Sequence, residues 1–255
     1  MSQAAVARAQ TRATGPWFYA GMAMLSVLVA VTGFLPTFFV PLATGAFVRP
    51  PIFFVHGLLF FAWPVYVAVQ AALVAQGRTW AHRQAGIFGA GLAVAMAFSV
   101  AAVVVARLGQ QLPVPPGAPG SPQFAWVDAR LILFFEAAVL LALANVRRPE
   151  IHKRLMLLAT LSLLSAPIAR WTTVLFGPAP PAGFAGFLWQ QWPAFATDAL
   201  MLLPMAYDWR TRGRVSAVWL VGAGLYAALG FTDGWVGFSA PWLAVADWLR
   251  GVARL

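Results

Sequence analysis

The sequence predicts an all-α, polytopic membrane protein with seven transmembrane helices. Of its 255 residues, 61% are hydrophobic and only 9% are charged, whereas soluble globular domains carry about 25% charged residues. The mean hydropathy is +0.77, and the apolar residues form segments close to the roughly 20 residues that a helix needs to cross a bilayer. We therefore expect one intramembrane domain and no separate soluble module.

The chain divides into a polar N-terminal tail at 1–16, a transmembrane domain at 17–233 and a terminal segment at 234–255. The first apolar run is long and is not followed by a convincing cleavage site, so it is interpreted as a transmembrane helix rather than a signal peptide. The seven predicted helices are 17–40, 51–76, 84–107, 128–146, 153–176, 187–208 and 215–233.

The last segment, 238–255, has a different pattern from the seven apolar segments. Its apolar residues, among them Trp242 and Trp248, alternate with Asp247, Arg250 and Arg254. A helix with one apolar and one charged face lies in the membrane interface rather than crossing the bilayer. The pattern therefore predicts an interfacial amphipathic helix.

The distribution of Lys and Arg predicts the orientation, because cytoplasmic loops carry an excess of these residues. If the N-terminus is cytoplasmic, eleven basic residues lie inside: Arg8, Arg12, Arg78, Arg83, Arg147, Arg148, Lys153, Arg154, Arg210, Arg212 and Arg214. Five then lie outside: Arg49, Arg107, Arg130, Arg250 and Arg254. The count favours an N-in, C-out topology, which places the terminal amphipathic helix on the outer face.

The net charge of +10 does not indicate nucleic-acid binding. Sixteen of the 17 basic residues are arginines, and they are scattered between apolar segments rather than grouped on one face. This is the pattern of a topology signal, so we expect the lipid bilayer as partner and no nucleic acid. The absence of cysteine excludes disulfides, thiolate metal sites and cysteine nucleophiles.

Four ionisable residues lie in the outer halves of four predicted helices. They are His56, Glu136, Arg170 and Asp198. Such groups are rare in membranes and are tolerated where they meet one another or line a water-filled cavity. We therefore predict an outer polar pocket formed by these four side chains. The alternative is a simple ion pair of Arg170 with Glu136 or Asp198 that joins two helices.

A second group lies at the inner ends of the predicted helices. His82 is near the start of the third helix, His152 is at the start of the fifth, and Asp208 ends the sixth. The two histidines lie at the same membrane level, and neutral imidazole is a common ligand of metal ions and haem iron. This pattern predicts a cofactor site at His82 and His152 for haem b or a divalent metal, with Asp208 as a further candidate metal ligand. The alternative is contact with anionic lipid headgroups.

The stretch HGLLFFAWPVYVAVQAALVAQGRTWAHRQAG contains a histidine, a glutamine and the motif HRxxG, and HKRLM follows at 152–156. This combination, with a late arginine, resembles a bacterial family of multi-helix membrane proteins of unknown function. It is more distantly similar to the small multi-histidine membrane proteins that assist haem-copper oxidase assembly. The resemblance covers roughly residues 50 to 175 and implies the bacterial inner membrane. It singles out His56, Gln70, His82, Arg83, Gly86, His152, Arg154, Met156 and Arg170.

These observations leave four functions open. The first is a redox or cofactor-assembly role with haem or a metal at the inner face, and the second is a zinc-dependent intramembrane hydrolase. A hydrolase needs about three converging ligands, and His56 is predicted about 20 Å from the other histidines by helix rise. The third is a transporter or binder of small ligands that uses the outer pocket, and the fourth is a subunit of a larger membrane complex. A retinal photoreceptor is excluded because the only lysine, Lys153, lies at a helix boundary.

Overall fold

The structure is a computed structural model, and it describes residues 3–110, 114–177 and 184–253, with side chains from residue 15 onward except 173 and 184–190. Within these ranges the chain is helical and contains no strand, which confirms the all-α prediction. The helices are α1 (Gln3–Phe34), α2 (Val40–Ala43), α3 (Pro51–Ala75), α4 (Thr79–Gly109), α5 (Phe124–Ala144), α6 (Pro149–Ser162), α7 (Ser165–Phe176), α8 (Phe184–Arg212), α9 (Ala217–Gly230), α10 (Asp233–Val236) and α11 (Ala240–Val252).

Five helical stretches among the described residues are long and apolar enough to cross a membrane. They are Gly15–Ala43, Pro51–Ala75, Thr79–Gly109, Pro149–Phe176 and Ala217–Val236. The other two predicted crossings coincide with α5 and α8, which are helical and contain several charged residues. α5 carries Asp128, Arg130 and Glu136 within its 21 residues, and α8 carries two aspartates and two internal prolines. The membrane class of the protein therefore agrees with the sequence prediction.

Two of the apolar segments are not straight α-helices. The first continues from α1 through a π-helical turn, Leu35–Phe39, into α2. The stretch Pro149–Phe176 is broken between α6 and α7, where the Leu163 and Leu164 amides bond to carbonyls three residues back. Pro167 explains this break, because proline lacks an amide hydrogen and its ring clashes with the carbonyl four residues earlier. The single predicted helix 153–176 is thus two helices.

The helices pack around two apolar clusters. One is centred on Trp63 of α3, Met96 of α4 and Phe135 of α5, and the Trp63 and Phe135 rings meet edge to face at 4.7 Å. The other includes Leu158 of α6 and Trp219 of α9. Buried Trp63 also donates from Nε1 to the Thr160 hydroxyl, 3.1 Å away. This bond connects α3 to α6, which carries His152.

The amphipathic pattern near the C-terminus corresponds to α11. Its first turn is capped by Ser239, whose hydroxyl accepts from the Trp242 amide. Trp242 donates from its indole to the Pro122 carbonyl at 3.0 Å, so α11 is attached to the loop before α5. Trp248 is 67% exposed, which suits a side chain at the membrane interface.

Candidate functional site

His82 and His152 lie side by side at one end of the helix bundle. His82 is on the first turn of α4 and His152 is on the first turn of α6. Their ring centroids are 6.3 Å apart, and the rings are inclined by 77°. This distance is close to that of two imidazoles sharing one metal ion, since metal–nitrogen bonds are ~2.0–2.1 Å long.

Hydrogen bonding defines which nitrogen of His152 could bind a metal. His152 Nδ1 lies 2.9 Å from the backbone oxygen of Ala142 in α5. A carbonyl oxygen only accepts, so Nδ1 carries the hydrogen, and Nε2 is the acceptor nitrogen of the neutral ring. A backbone contact of this kind orients many metal-binding histidines. His152 is therefore held in a tautomer suited to coordination through Nε2.

His82 has a complementary arrangement. Its ring interacts with the backbone carbonyl of Gln70 in α3, while its Nδ1 atom is buried and has no hydrogen-bond partner. Buried polar atoms are nearly always paired in folded proteins, and an unpaired one calls for an explanation such as a bound ion. His82 Nδ1 and His152 Nε2 are thus two candidate ligand atoms on adjacent helices.

Gln70 is the third polar side chain at this place. Its Nε2 donates to the Tyr66 hydroxyl at 2.8 Å, and the hydroxyl donates to the Ala85 carbonyl of α4 at 3.1 Å. Gln70 Oε1 is buried without a partner. We refer to Gln70, His82 and His152 as the inner histidine site.

Asp208 does not join the two histidines. Its carboxylate is held at two points by the Arg154 guanidinium, through Nε at 2.8 Å and through Nη2, and it also accepts from the Ser216 amide before α9. No cluster of three or more His, Cys, Asp or Glu side chains suited to a metal occurs among the described residues. Asp208, expected as a further metal ligand, is instead the partner of Arg154.

The surrounding basic residues form an ion-pair network rather than a group of isolated cations. Glu150 contacts Lys153 at 2.7 Å, Arg154 at 2.8 Å and Arg212 at 3.3 Å. The Lys153 ammonium also lies 4.8 Å from the centre of the Tyr19 ring. This network connects the start of α6 to the end of α8, at the end of the bundle that carries the inner histidine site.

Of the four residues expected in the outer pocket, His56 and Arg170 share a neighbourhood. The His56 Nδ1 atom lies 3.1 Å from the Ser99 hydroxyl of α4, and the charges of Arg107 and Arg170 both act on the His56 ring. Arg107 forms a 3.6 Å ion pair with Asp128 at the start of α5. His56 therefore belongs to a cluster that the sequence predicted only in part.

Arg170 is held by α1 and by its own helix. Its guanidinium stacks at 3.9 Å from the Phe34 ring centre, donates to the Thr37 hydroxyl at 3.2 Å, and donates to the Ala166 carbonyl at 2.6 Å. Thr37 lies in the π-helical turn, a feature often found at functional sites. No carboxylate of the described residues forms an ion pair with Arg170.

Glu136 and Asp198 are placed differently. Each has one buried carboxylate oxygen with no hydrogen-bond partner, and neither forms an ion pair with Arg170 in the described chain. The charge that acts on Asp198 is that of Arg130, and Arg130 itself is bound at two points by Asp233, at 2.7 and 2.8 Å. The alternative to the pocket, a Glu136–Arg170 or Asp198–Arg170 ion pair, is therefore not among the contacts found in the described chain.

Sequence reasoning missed the acidic partners of three arginines. Arg107, Arg130 and Arg154 were assigned to topology by their position near helix ends, yet each pairs with an acidic residue from another element or the same helix. The available signal was that acidic residues are scarce, with seven Asp and Glu in the chain, and that charges within membranes need partners.

Comparison of the chain with protein-family models, with curated proteins and with solved structures found no match. The function is therefore inferred from the residues of this chain. Among the described side chains, the inner histidine site combines two imidazoles with two unpartnered buried polar atoms. It is the arrangement with the clearest capacity to bind a ligand.

Proposed function

We propose that this integral membrane protein binds a metal ion or haem b through His82 Nδ1 and His152 Nε2 and serves in redox chemistry or cofactor assembly. The observation that carries the proposal is the 6.3 Å separation of the two imidazole rings. Supporting it are the His152 hydrogen bond to Ala142 and the buried, unpartnered Nδ1 atom of His82. Neutral histidine with its second nitrogen fixed by a backbone carbonyl is the form that coordinates metals.

We further propose that the chain crosses the bacterial inner membrane seven times, with the N-terminus inside and the C-terminus outside. α5 and α8 would be the two additional crossings. Their ionisable side chains support this assignment, since Arg130 is paired with Asp233 and Asp208 with Arg154, and paired charges are tolerated inside a helix bundle. With this topology the inner histidine site lies at the cytoplasmic end of the bundle.

The protein's own groups would bind and orient the ion rather than supply acid–base catalysis. The Ala142 carbonyl fixes the direction of the His152 ring, and the Gln70 backbone carbonyl lies beside the His82 ring. A bound metal or haem would supply the electron-transfer or Lewis-acid chemistry. The zinc-hydrolase alternative is less well supported, because Asp208 is occupied by Arg154 and His56 is bound to Ser99 elsewhere.

The test is a spectrum and a metal analysis of the protein purified in mild detergent, before and after incubation with haem or with Co²⁺. We expect about one equivalent of bound ligand per chain, seen as a Soret band or as stoichiometric metal. His82→Ala and His152→Ala should each remove it. His56→Ala is the matched control, because His56 is bound to Ser99 outside the inner histidine site, and it should retain the ligand.

Two results would contradict the proposal. One is a folded wild-type protein that takes up neither haem nor metal. The other is binding that survives both inner-site substitutions, or that is lost only with His56→Ala, because the ligand would then be held elsewhere. Circular dichroism and gel filtration of each variant show whether a loss of binding reflects the site or the fold.

A second candidate function is the binding of a small anionic ligand at the outer residues. It is supported by Arg170, which lacks a carboxylate partner within the described chain and lies near His56, Arg107 and Asp128. An arginine within a membrane that has no ion-pair partner in direct contact is a candidate anion site. Isothermal titration of wild type and Arg170→Met with phosphate and with short-chain carboxylates tests this candidate. Equal heats for both proteins would exclude it.

A further inference from the structure

We infer that Gln70 Oε1 is the third donor of the inner histidine site, and that the site takes a divalent first-row metal ion rather than haem. This inference rests on the proposed function, since it needs His82 and His152 to be ligands. It adds a residue of α3 to a site otherwise made by α4 and α6, and it selects between the two cofactor classes.

The first step is the position of Gln70 relative to His82. α3 and α4 are consecutive helices joined by a short turn, and Tyr66 of α3 reaches the Ala85 carbonyl of α4 at 3.1 Å. One helical turn closer to the connecting loop, Gln70 and His82 lie opposite each other, and the Gln70 backbone carbonyl interacts with the His82 ring. Gln70 is therefore at the level of the His82 ring, whose neighbour is His152.

The second step is the orientation of the Gln70 amide. The Tyr66 hydroxyl donates its single hydrogen to the Ala85 carbonyl, so it needs a donor from Gln70. Nε2 supplies this donor at 2.8 Å, which leaves Oε1 as the other end of the amide. Oε1 is buried with no hydrogen-bond partner, as is His82 Nδ1. A cation bound between α3 and α4 would satisfy both unpartnered acceptors.

The third step is the rigidity of this arrangement. A Cβ atom on Gly89 would lie 2.6 Å from the Tyr66 ring, so the ring packs directly on the backbone of α4. Tyr66 also lies within 3.4 Å of the Gly86 carbonyl. Because Tyr66 is fixed by α4, it holds the Gln70 amide in one direction, as outer hydrogen bonds do around many metal ligands.

The donor set then indicates the class of ligand. Two imidazole nitrogens suit Zn²⁺, Cu²⁺, Fe²⁺ or Ni²⁺, and an amide oxygen is compatible with such borderline ions. In bis-histidine haem, both axial positions are taken by the imidazoles and the porphyrin fills the other four, so Gln70 would have no position on the iron. A Gln70 donor therefore indicates a metal ion bound by two nitrogens and one oxygen.

The experiment is a Co²⁺ titration of the full-length protein, following both affinity and the ligand-field absorption of the bound ion. Gln70→Ala should weaken Co²⁺ binding by roughly 10–100-fold, the range seen when an orienting partner of a metal site is lost, and should change the ligand-field spectrum. Gln70→Glu retains an oxygen donor and adds a negative charge, so it should bind at least as tightly as wild type. Gln76→Ala is the matched control, since Gln76 is exposed at the end of the same helix.

The outcomes separate the inference from the function on which it rests. If wild type binds Co²⁺ through both histidines and Gln70→Ala keeps the wild-type affinity and spectrum, the role of Gln70 is refuted and the proposed function stands. If wild type takes up haem, seen as a Soret band, and binds no metal ion, the role of Gln70 is likewise refuted and the proposed function stands. If wild type binds neither, both are refuted. If Gln70→Ala folds poorly, a folded Gln70→Leu variant replaces it. Lower Co²⁺ affinity and a changed spectrum in Gln70→Leu support the inference, whereas the same affinity and spectrum as wild type refute it.

Discussion

The Arg154 guanidinium and the Asp208 carboxylate form a buried two-point ion pair that joins α6 to α8. Arg154 is 1% exposed and Asp208 is fully buried, and the Arg154 Nε to Asp208 Oδ2 distance is 2.8 Å. Arg154 follows His152 by two residues, and Asp208 also accepts from the Ser216 amide at the start of α9. The pair therefore anchors the helix that carries His152 to the second half of the bundle.

Breaking this pair should strongly destabilise the protein. Asp208→Asn preserves the shape of the side chain and removes the buried counter-ion of Arg154, which leaves only the exposed Glu150 carboxylate as its partner; loss of one member of a buried ion pair typically costs about 3–5 kcal/mol. Asp247→Asn is the control, because Asp247 forms an exposed pair with Arg250 within α11, and exposed pairs contribute about 0–1 kcal/mol. Thermal unfolding in detergent should show a large loss for the first variant and a small one for the second. Equal losses would contradict the role assigned to the pair.

The bond between Trp63 and Thr160 should contribute measurably to stability. Thr160→Val is close to isosteric and leaves the buried Trp63 N–H without an acceptor, which costs about 1–3 kcal/mol. Thr32→Val provides the comparison, since the Thr32 hydroxyl bonds only to carbonyls of its own helix. Chemical unfolding followed by tryptophan fluorescence measures both. A Thr160→Val protein as stable as Thr32→Val would show that the interhelical bond adds nothing.

The positions of the helices were predictable because apolar runs and the residues that end them are local signals. The all-α class and the membrane setting follow from the sequence and are confirmed. The break between α6 and α7 was not predicted, since hydropathy runs through it and only Pro167 marks the change. The π-helical turn at Leu35–Phe39 has no hydropathy signal either.

The candidate site was predictable to the level of membrane depth and no further. His82 and His152 were expected at the same membrane level, and their ring centroids lie 6.3 Å apart. Partner choice depends on which helices are neighbours and how they are rotated, and one sequence contains neither. For this reason Asp208 was considered a metal ligand although Arg154 binds it. Whether the histidines bind a cofactor stays a prediction.

The contact of Gly89 with Tyr66 should be sensitive to one added methyl group. In Gly89→Ala the new Cβ would lie 2.6 Å from the Tyr66 ring, so the ring must move and its bond to Ala85 weakens; overpacking of this kind costs about 1–3 kcal/mol. Gly91→Ala is the matched control on the same helix, with no atom within 4 Å of its Cβ. We expect Gly89→Ala to lower both the unfolding temperature and Co²⁺ affinity, while Gly91→Ala changes neither. An unchanged Co²⁺ affinity in a folded Gly89→Ala protein would contradict the role of Tyr66 in orienting Gln70.

The N-in, C-out topology can be tested with single cysteines, because the natural chain contains none. Pro119, in the loop before α5, and Arg214, in the loop before α9, are both exposed. In this topology Pro119→Cys faces the outside and Arg214→Cys the cytoplasm, following the excess of basic residues in the inner loops. A membrane-impermeant maleimide should label Pro119→Cys in intact cells and Arg214→Cys only after permeabilisation. The reverse labelling pattern would indicate the opposite orientation. Labelling of both cysteines in intact cells would mean an even number of crossings between Pro119 and Arg214.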